Sequence, residues 1–330
     1  MHKKYKGDNL YKGDNVYMKI SIKNDMKILL FEHNDLDGIT NNIILKTLIP
    51  NANIKVIDCN YDDINNKVQY YLPSFHKYDV IFITDISINY NLAKIIDNTN
   101  YHVILLDHHK TALKLNDFNF CNVFVELNNK LTCGSELFYN YLINHYKIFK
   151  NHYLFKFIEI VRQYDTWEWK KLNNEIPKQY NDIFNILGKD LFVNEIINKI
   201  NNKNLSFNDI DKLLLKINKE KQNKYFKLKD KQLIKKQIMN YNTGIVFANQ
   251  YLSELGNYLL EHNDIDISIL IGENSISYRS KDDVDCSQIA KMFNGGGHKN
   301  AAGSSISEDN KMKYIDILFS NQSLLKKLFK

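Results

Sequence analysis

The 330-residue sequence lacks several features that define particular classes of protein. It has no run of about 18 apolar residues, which argues against a membrane-spanning helix. Its polar, lysine-bearing start has no apolar core segment, so we expect no secretory signal and a cytoplasmic protein. Its four cysteines form no Cys-x-x-Cys pair, which predicts reduced thiols and neither disulfides nor a zinc site.

Some scarce residue types are concentrated in a few places. Only two of the 44 basic residues are arginine, Arg162 and Arg279, and the two tryptophans are Trp167 and Trp169. Four of the 12 glycines lie between residues 295 and 303. The composition is otherwise rich in Lys, Asn and Ile, so a chemical role is one reason for these residues to persist. The net charge of +6 permits a polyanionic substrate without requiring one.

The first long part of the chain alternates between strand-like and helix-like segments. Between residues 26 and 126, short apolar runs predict buried strands that are separated by helical patterns. The strands are predicted near residues 27–31, 54–58, 79–84, 102–106 and 122–126, and the helices near 39–49, 62–72 and 90–98. Because such alternation is typical of a sheet covered by helices on both faces, we predict an α/β domain with a doubly wound parallel sheet over residues 26–185.

The rest of the chain is predicted to form three further parts. Strand-like runs after residue 242 predict a smaller α/β domain over residues 241–330, joined to the first by a helical linker over 186–240. The lysine-rich stretch 219–237 predicts a connecting helix, whose charge is either a solvated face or a phosphate-attracting surface. Residues 1–25 have no apolar period, which predicts a disordered or weakly ordered tail, with a small edge element as the alternative.

Side chains that can bind metal follow three of the predicted strands. His33, Asp35 and Asp37 follow the first strand, where a locally extended backbone would turn all three toward a shared ion. Asp85 follows the third strand, and Asp107, His108 and His109 follow the fourth. Because carboxyl ends of parallel strands meet at one edge of a sheet, Asp85, His108 and Asp165 can complete a site for two cations. A mixed carboxylate and imidazole shell suits manganese, with magnesium, cobalt or iron(II) as alternatives.

Two features further along the chain have both a chemical and a structural interpretation. Asp165 is either a ligand oriented by the packing of Trp167 and Trp169 or part of a turn that ends a helix. The tryptophans are either core residues or platforms on which bases stack. The N–H groups of the glycine-rich segment 295–303 can hold a phosphate that Arg279 grips bidentately, and the alternative is a flexible turn between strands.

Together these motifs resemble the DHH phosphoesterase superfamily, in the branch with a C-terminal DHH-associated domain. The resemblance covers about residues 26–169 and 244–305. His-Asn-Asp-Leu-Asp-Gly at 33–38 resembles the first motif, Asp85 the second, Asp-His-His at 107–109 the third and Asp165 the fourth. The first motif, with Tyr-Asp-Thr-Trp-Glu-Trp at 164–169, is most similar to oligoribonucleases of the nano-RNase B type. RecJ exonucleases, nano-RNase A enzymes and cyclic-dinucleotide phosphodiesterases are more distant relatives.

The resemblance implies roles for individual residues. It implies two manganese ions held by His33, Asp35, Asp37, Asp85, His108 and Asp165, with Asp85 bridging them. Asp107, His108 and His109 would be catalytic, with His109 facing the scissile phosphate and Asp107 orienting the neighbouring imidazole. The substrate would be bound by Arg279, Ser280, Gly295, Gly296, Gly297 and His298.

The expected function is a manganese-dependent phosphodiesterase that trims short oligoribonucleotides to nucleoside 5′-monophosphates. Hydrolysis of cyclic dinucleotides or of 3′-phosphoadenosine 5′-phosphate is one alternative, and hydrolysis of polyphosphate or pyrophosphate is another. A non-catalytic nucleic-acid-binding protein is the alternative from a different class. The expected partner is a short RNA or other oligonucleotide and not a membrane, and the oligomeric state is left open.

Overall fold

The computed structural model describes residues 25–146, 148–293 and 295–319, so the tail predicted for residues 1–25 lies almost wholly outside the described residues. The chain divides into two compact units, a first unit of Met1–Asn218 and a second unit of Lys219–Lys330.

The first unit contains most of the alternation that the sequence predicts. Its strands are β1 (Lys27–His33), β2 (Asn53–Cys59), β3 (Val80–Thr84), β4 (Val103–Asp107), β5 (Cys121–Val123), β6 (Glu126–Leu127) and β7 (Lys130–Leu131). Its α-helices are α1 (Leu36–Leu48), α2 (Ile64–Tyr71), α3 (Tyr90–Asp97), α4 (Gly134–Tyr146), α5 (His152–Asp165), α6 (Glu168–Lys171), α7 (Ile176–Leu187) and α8 (Lys189–Asn201). Two 3₁₀ segments cover Leu72–Lys77 and Lys110–Asp117, and the long helix α9 spans Asp209–Lys231.

The five main strands form one parallel sheet in the order β2-β1-β3-β4-β5. Apolar side chains alternate between its two faces, as the pleat of a strand requires. Ile28 and Leu30 of β1 pack into a core with helices α1, α4, α5, α7 and α8, whereas Leu29 and Phe31 pack into a second core with α2 and α3. Helices therefore cover both faces of a parallel sheet, and the prediction of a doubly wound α/β fold is confirmed.

The strand order creates a crevice at the carboxyl end of the sheet. From β1 the chain passes through α1 to β2 on one side, whereas β3 pairs with the other side of β1. Ligands of open α/β sheets bind outside the carboxyl ends of the strands at such a switch point. The side chains that end β1 and follow β3, His33 and Asp85, therefore lie where this fold places its chemistry.

The second unit contains a smaller mixed sheet. Its strands are β8 (Ile234–Ile238), β9 (Tyr241–Phe247), β10 (Ile267–Ile271), β11 (Ser275–Ser280), β12 (Gly296–His298) and β13 (Ala301–Ser305), and its helices are α10 (Leu252–His262), α11 (Cys286–Met292) and α12 (Glu308–Phe319). The sheet order is β12-β13-β11-β10-β9-β8, in which only β9 and β10 are parallel among the described strands. Leu255 of α10 and Ile289 of α11 belong to two separate cores.

The prediction of one helix over residues 219–237 is wrong at its end. Helix α9 stops at Lys231, and residues 234–238 form β8, which pairs antiparallel with β9. The two isoleucines at its ends lie opposite residues of β9, Ile234 opposite Ile245 and Ile238 opposite Tyr241, while the lysines between them are exposed. Exposed lysines suit an edge strand because they discourage pairing with a further chain.

A buried carboxylate lies on β1 beside the residue that ends it. Glu32 is fully buried, and its Oε1 lies 2.8 Å from Nζ of Lys189, the first residue of α8. Its Oε2 accepts a hydrogen bond from the backbone N–H of Asn42 at 3.1 Å. Burial raises the pKa of Glu32 to about 7, although the Lys189 charge opposes this shift.

The raised pKa makes the stability of the first unit depend on pH. Folded Glu32 keeps its proton at pH values where the unfolded chain has lost it. The contribution of Glu32 to the free energy of unfolding is therefore fully present below about pH 4.5 and is lost as pH rises through about 7. Between pH 5 and pH 8, we predict that the free energy of unfolding of Glu32→Gln falls by about 2–3 kcal/mol less than that of the wild type. Denaturant unfolding in chelator, followed by fluorescence of Trp167 and Trp169, measures this because both tryptophans lie in the first unit. If the wild type and the variant differed in free energy of unfolding by the same amount at both pH values, this prediction would be contradicted.

Candidate active site

The carboxyl edge of the first sheet brings together the side chains that follow β1, β3 and β4. Oδ1 of Asp85 lies 3.1 Å from Nε2 of His108, and its Oδ2 lies 3.7 Å from Nδ1 of His33. Asp85 is 1% exposed, and it lies between the two imidazoles with one oxygen toward each. This position suits the bridging role that the family resemblance implies for Asp85, and that role stays a prediction.

The first motif reaches this edge by a different backbone path from the one predicted. The expectation of an extended segment at 33–37 is wrong, because α1 begins at Leu36. Asp35 is its N-cap, with Oδ1 accepting the N–H of Gly38 at 2.9 Å, and its Oδ2 lies 2.8 Å from Nδ1 of His33. Asp37 stands in the first helical turn, and its Oδ2 lies 3.9 Å from Nε2 of His108. The three side chains converge because a strand ends where a helix begins.

The start of α4 fixes Asp37, a role that the sequence did not reveal. Oδ2 of Asp37 accepts the backbone N–H of Gly134 at 2.6 Å, and Oδ1 accepts the backbone N–H of Ser135 at 3.0 Å. A cap supplied by a residue 97 positions away leaves no local signal in the sequence. These two hydrogen bonds from the first turn of α4 fix the position of the Asp37 side chain.

Gly134 also lets α4 approach Asp85 closely. A Cβ atom at residue 134 would lie 2.5 Å from Cβ and 2.9 Å from Cγ of Asp85. The backbone of Asp85 itself is left-handed, with φ of 60°, a strained conformation for a residue with a side chain. The position of this carboxylate is therefore defined by both its own backbone and the absence of a side chain on α4.

Asp165 ends α5 and places Oδ2 at 3.6 Å from Nε2 of His108. Arg162 fixes the turn that carries it. The guanidinium donates to Glu159 at 2.8 and 2.6 Å, to the carbonyl oxygen of Leu131 at 3.0 Å and to Glu168. Arg162 is 3% exposed, so one of the two arginines serves to hold a candidate ligand in place.

Asp107 is hydrogen-bonded to the neighbouring backbone and imidazole, and one of its oxygens also lies within 4.8 Å of ligand atoms of Asp85, His108 and His109. Its Oδ1 accepts from the backbone N–H of His108 at 2.7 Å and from Nδ1 of His109 at 2.7 Å, and its Oδ2 accepts the hydroxyl of Ser87 at 2.5 Å. Burial raises the pKa of Asp107, but His109, His108 and Ser87 outweigh burial and hold the pKa below its usual value. Asp107 is thus a carboxylate that orients His109, as the resemblance implies.

The cluster contains more negative charge than its own side chains balance. Both oxygens of Asp85, Nε2 of His108 and Nδ1 of His33 are buried and make no hydrogen bond of good geometry within the described chain. Burial, followed by the charges of Asp37 and Asp35, raises the pKa of Asp85 well above its usual value. Burial also raises the pKa of Asp165 to about 6, although the charge of His108 opposes this.

These buried oxygen and nitrogen atoms without hydrogen-bond partners fit divalent cations, which would coordinate them and neutralise the carboxylates. His33, Asp35 and Asp85 offer one group of ligand atoms that lie within 4.8 Å of one another, and Asp37, His108 and Asp165 offer another. A mixture of imidazole nitrogens and carboxylate oxygens suits a first-row transition metal better than calcium.

In the second unit, the predicted substrate residues lie on and beside two neighbouring strand pairs. Ala301 of β13 pairs with Arg279 on one side and with His298 on the other, so all three side chains point to one face of the sheet. Nη1 of Arg279 donates to the carbonyl oxygen of Tyr278 at 2.8 Å and Nη2 donates to Oγ of Ser253 at 2.6 Å. Ser280 is 7% exposed and donates its hydroxyl to the carbonyl oxygen of Val284 at 2.8 Å.

Part of the glycine-rich segment forms an edge strand, so the segment is not simply a flexible turn between strands. Gly296, Gly297 and His298 form β12, paired with β13. A Cβ at residue 295 would lie 2.1 Å from the carbonyl oxygen of Gly303, and Gly297 has φ of 137°, so these two positions require glycine for the tight pairing. Phosphate binding by Gly295, Gly296 and Gly297 stays a prediction.

The sequence matches the DHH family, N-terminal domain, over residues 27–162 and the DHHA1 domain over residues 239–321. It is 34% identical over 295 residues to Oligoribonuclease NrnB of Bacillus subtilis (strain 168), which covers 85% of this chain and 73% of that protein. The chain belongs to the DHH family. The predicted DHH phosphoesterase identity, with its associated C-terminal domain, is confirmed.

One further curated protein is similar in sequence, and two solved structures are similar in fold. The chain is 22% identical to a 3′,5′-cyclic-nucleotide phosphodiesterase of Helicobacter pylori (strain ATCC 700392 / 26695), covering 85% of this chain and 93% of that protein. RecJ in complex with Mn²⁺ from Thermus thermophilus matches with a TM-score of 0.57 and 12% identity, over 86% of this chain and 50% of RecJ. The DHH domain of a member of the s1p family of ribosomal proteins matches with a TM-score of 0.62 and 15% identity, over 91% of this chain and 87% of that one. Among the described residues, no helix combines the length and apolarity needed to cross a membrane.

The packing of α4 against Asp85 leads to a prediction about metal affinity. Gly134→Ala adds a Cβ that collides with Asp85, so we expect Mn²⁺ to bind at least about 10-fold more weakly, the size of effect usual for residues that support ligands. Titration calorimetry with Mn²⁺ measures the affinity. Gly296→Ala is the control, since a Cβ there meets no atom within 4 Å. Equal affinities for wild type and Gly134→Ala would show that the contact does not position the ligand.

Proposed function

We propose that this DHH protein is a manganese-dependent phosphodiesterase that hydrolyses short oligoribonucleotides to nucleoside 5′-monophosphates. The observation that carries the proposal is the position of buried Asp85 between His33 and His108, where two groups of ligand atoms meet at the carboxyl edge of the sheet. The 34% identity to Oligoribonuclease NrnB, over most of both chains, supports an oligoribonucleotide as the substrate.

Two divalent ions would be held in the two groups of ligands. His33 and Asp35 belong to one group, Asp37, His108 and Asp165 belong to the other, and Asp85 lies beside both. When bound, the ions would activate a water molecule and neutralise charge on the phosphoryl group under attack. Manganese is our choice because the donor set mixes imidazole with carboxylate.

The side chains beside the ligands prepare the site for a phosphate. Asp107 accepts from Nδ1 of His109, so the proton of a neutral His109 lies on Nδ1 and Nε2 faces outward. Burial lowers the pKa of His109, but the charge and hydrogen bond of Asp107 outweigh burial and raise it. A protonated His109 donates from Nε2, and a phosphate oxygen is the acceptor that we assign to it.

Substrate recognition is assigned to the second unit. Arg279 and His298 project from the same face of the sheet, with only the small side chain of Ala301 between them in the row. A guanidinium and an imidazole about two strand spacings apart, roughly 10 Å, can contact a phosphate and its attached nucleoside.

Cyclic nucleotides are the second candidate substrate. The relative from Helicobacter pylori is named a 3′,5′-cyclic-nucleotide phosphodiesterase, and the alignment covers 93% of that protein. Hydrolysis of a cyclic phosphodiester needs the same activated water and metal ligands, so these two substrates are separated by experiment.

A labelled RNA ladder from dinucleotide to about 25-mer, with a cyclic dinucleotide and a 3′,5′-cyclic mononucleotide beside it, tests the proposal with Mn²⁺ added. We expect the shortest linear species to disappear first and to yield nucleoside 5′-monophosphates. Cleavage of a cyclic substrate alone would replace the proposal with the second candidate. No cleavage of any substrate would leave a nucleic-acid-binding protein.

Asp85→Asn tests the position at which the two ligand groups meet. The amide has the shape of the carboxylate but lacks its charge, so we expect turnover of a diribonucleotide to fall by at least about 1000-fold, in the range of removing a main electrostatic group. The melting temperature checks that the fold survives. Asp97→Asn is the control, because Asp97 is exposed at the end of α3. Retained turnover in Asp85→Asn would refute the assignment.

Arg279→Ala tests the grip on the substrate. We expect the KM for a diribonucleotide to rise by about 10-fold or more with kcat within about threefold, as for the loss of a charge-assisted hydrogen bond that binds ground and transition states equally. Lys235→Ala removes the same charge from β8, at the far edge of the same sheet, and should leave KM unchanged. Arg279→Lys should recover only part of the loss, because it keeps the charge without the planar fork. An unchanged KM in Arg279→Ala would exclude this role.

A further inference from the structure

Tyr61 lies at the metal centre although no motif in the sequence predicts it there. It stands between β2 and α2, and its hydroxyl lies 2.9 Å from Nε2 of His109. Its ring centroid is 4.9 Å from that of His33 and 5.8 Å from that of His109. The side chain is nevertheless 59% exposed. One side of the Tyr61 ring thus covers the imidazoles of His33 and His109, while much of the Tyr61 surface faces solvent.

The turn that carries Tyr61 is held in place on both sides. The N–H of Asn60 donates to Oδ1 of Asp63 at 2.9 Å, and the N–H of Asp63 donates to the carbonyl oxygen of Asn60 at 3.2 Å. The N–H of Asn34, inside the first motif, donates to the carbonyl oxygen of Cys59 at 3.2 Å. These bonds fix the position of Tyr61 relative to His33 and Asp35, so its ring is an ordered surface beside the ligands.

Tyr61 also ends a line of hydrogen bonds that starts inside the protein. The Ser87 hydroxyl donates to Asp107, Asp107 accepts from Nδ1 of His109, and Nε2 of His109 meets the Tyr61 hydroxyl. Asp107 in the line is buried and Ser87 and His109 are half-buried, whereas Tyr61 at its end is exposed. A phosphate that binds at Nε2 of His109 must therefore arrive next to the phenol.

We propose that Tyr61 is a substrate-binding residue whose ring stacks on the nucleobase attached to the phosphate at the metal centre and whose hydroxyl positions His109. This inference rests on the proposed function, because it names the contact that an oligonucleotide makes beside the reacting phosphate. An exposed aromatic ring suits any base, since stacking uses the π-face that all bases share. A single such contact supports the cleavage of short RNAs of varied sequence, which offer few nucleotides to hold.

The two parts of the side chain can be separated by substitution. Tyr61→Leu removes the ring and the hydroxyl, whereas Tyr61→Phe keeps the ring and removes only the bond to His109. Tyr70→Leu is the matched control, since Tyr70 is 79% exposed on α2 and its ring packs against Tyr71 at 5.2 Å. If Tyr61 only covered the imidazoles, none of these changes would depend on the presence of a base in the ligand.

The test compares two ligands of the Mn²⁺-loaded, full-length protein by calorimetry, adenosine 5′-monophosphate and ribose 5-phosphate. Both carry the phosphate, but only the first carries a base. We expect Tyr61→Leu to weaken binding of the adenosine ligand by about 10-fold, the usual range for one stacked base, and to leave ribose 5-phosphate unchanged. Tyr61→Phe should keep both affinities within about twofold but lower kcat for a diribonucleotide, and Tyr70→Leu should change nothing.

Michaelis constants for diadenylate provide a second reading, with an increase of about 10-fold in Tyr61→Leu and none in Tyr61→Phe. Equal losses for both calorimetric ligands, or an unchanged KM in Tyr61→Leu, would overturn the stacking role. An unchanged kcat in Tyr61→Phe would overturn the positioning of His109. If the wild type cleaved no oligoribonucleotide, the proposed function would fail, while the comparison of the two ligands would still decide whether Tyr61 contacts a base.

Discussion

The active-site half of this DHH protein is arranged around an electrostatic imbalance at one edge of a parallel sheet. Asp37, Asp85 and Asp165 converge on His108, and neither oxygen of the buried Asp85 makes a hydrogen bond within the described chain. Burying ionised groups without partners costs several kcal/mol each, which is why burial raises the pKa of Asp85 and why bound cations would stabilise this cluster. Three features keep these carboxylates close together despite their repulsion. They are the absence of a side chain at Gly134, the backbone N–H groups at the start of α4, and the hydrogen bonds of Arg162.

The sheet, and the meeting of most candidate ligands at its edge, could be predicted from sequence because their signals are local. Apolar runs that end in Asp or His mark the strands, and parallel strands bring their carboxyl ends to one edge whatever the details of packing. The path of the first motif was not predictable in the same way, since alternating polar residues are consistent with both an extended segment and a helix N-terminus. In the structure Asp35 caps the helix α1, because its carboxylate accepts the N–H of Gly38. Only the folded backbone reveals this hydrogen bond.

The residues that the sequence did not reveal act across long distances along the chain. Ser135 donates to Asp37 from 98 residues away, and Tyr61 reaches His109 across 48. Neither Tyr61, one of 21 tyrosines, nor a glycine that opens a helix stands out by type or spacing. The strand β8 was missed for a related reason. Its lysines look like part of the preceding helix until pairing with β9 supplies the hydrogen bonds that define an edge strand.

The two arginines of the chain have different surroundings. Arg162 is buried among two carboxylates and a carbonyl oxygen, so its charge serves to fix the turn of Asp165. Arg279 is only half-buried, and it stands in a row with Ala301 and His298, where its guanidinium donates to the carbonyl oxygen of Tyr278 and to Ser253. All the other basic residues that the Lys and Arg count covers are lysines, whose ammonium group is a compact charge. Arginine persists where a planar set of donors must meet several acceptors at once.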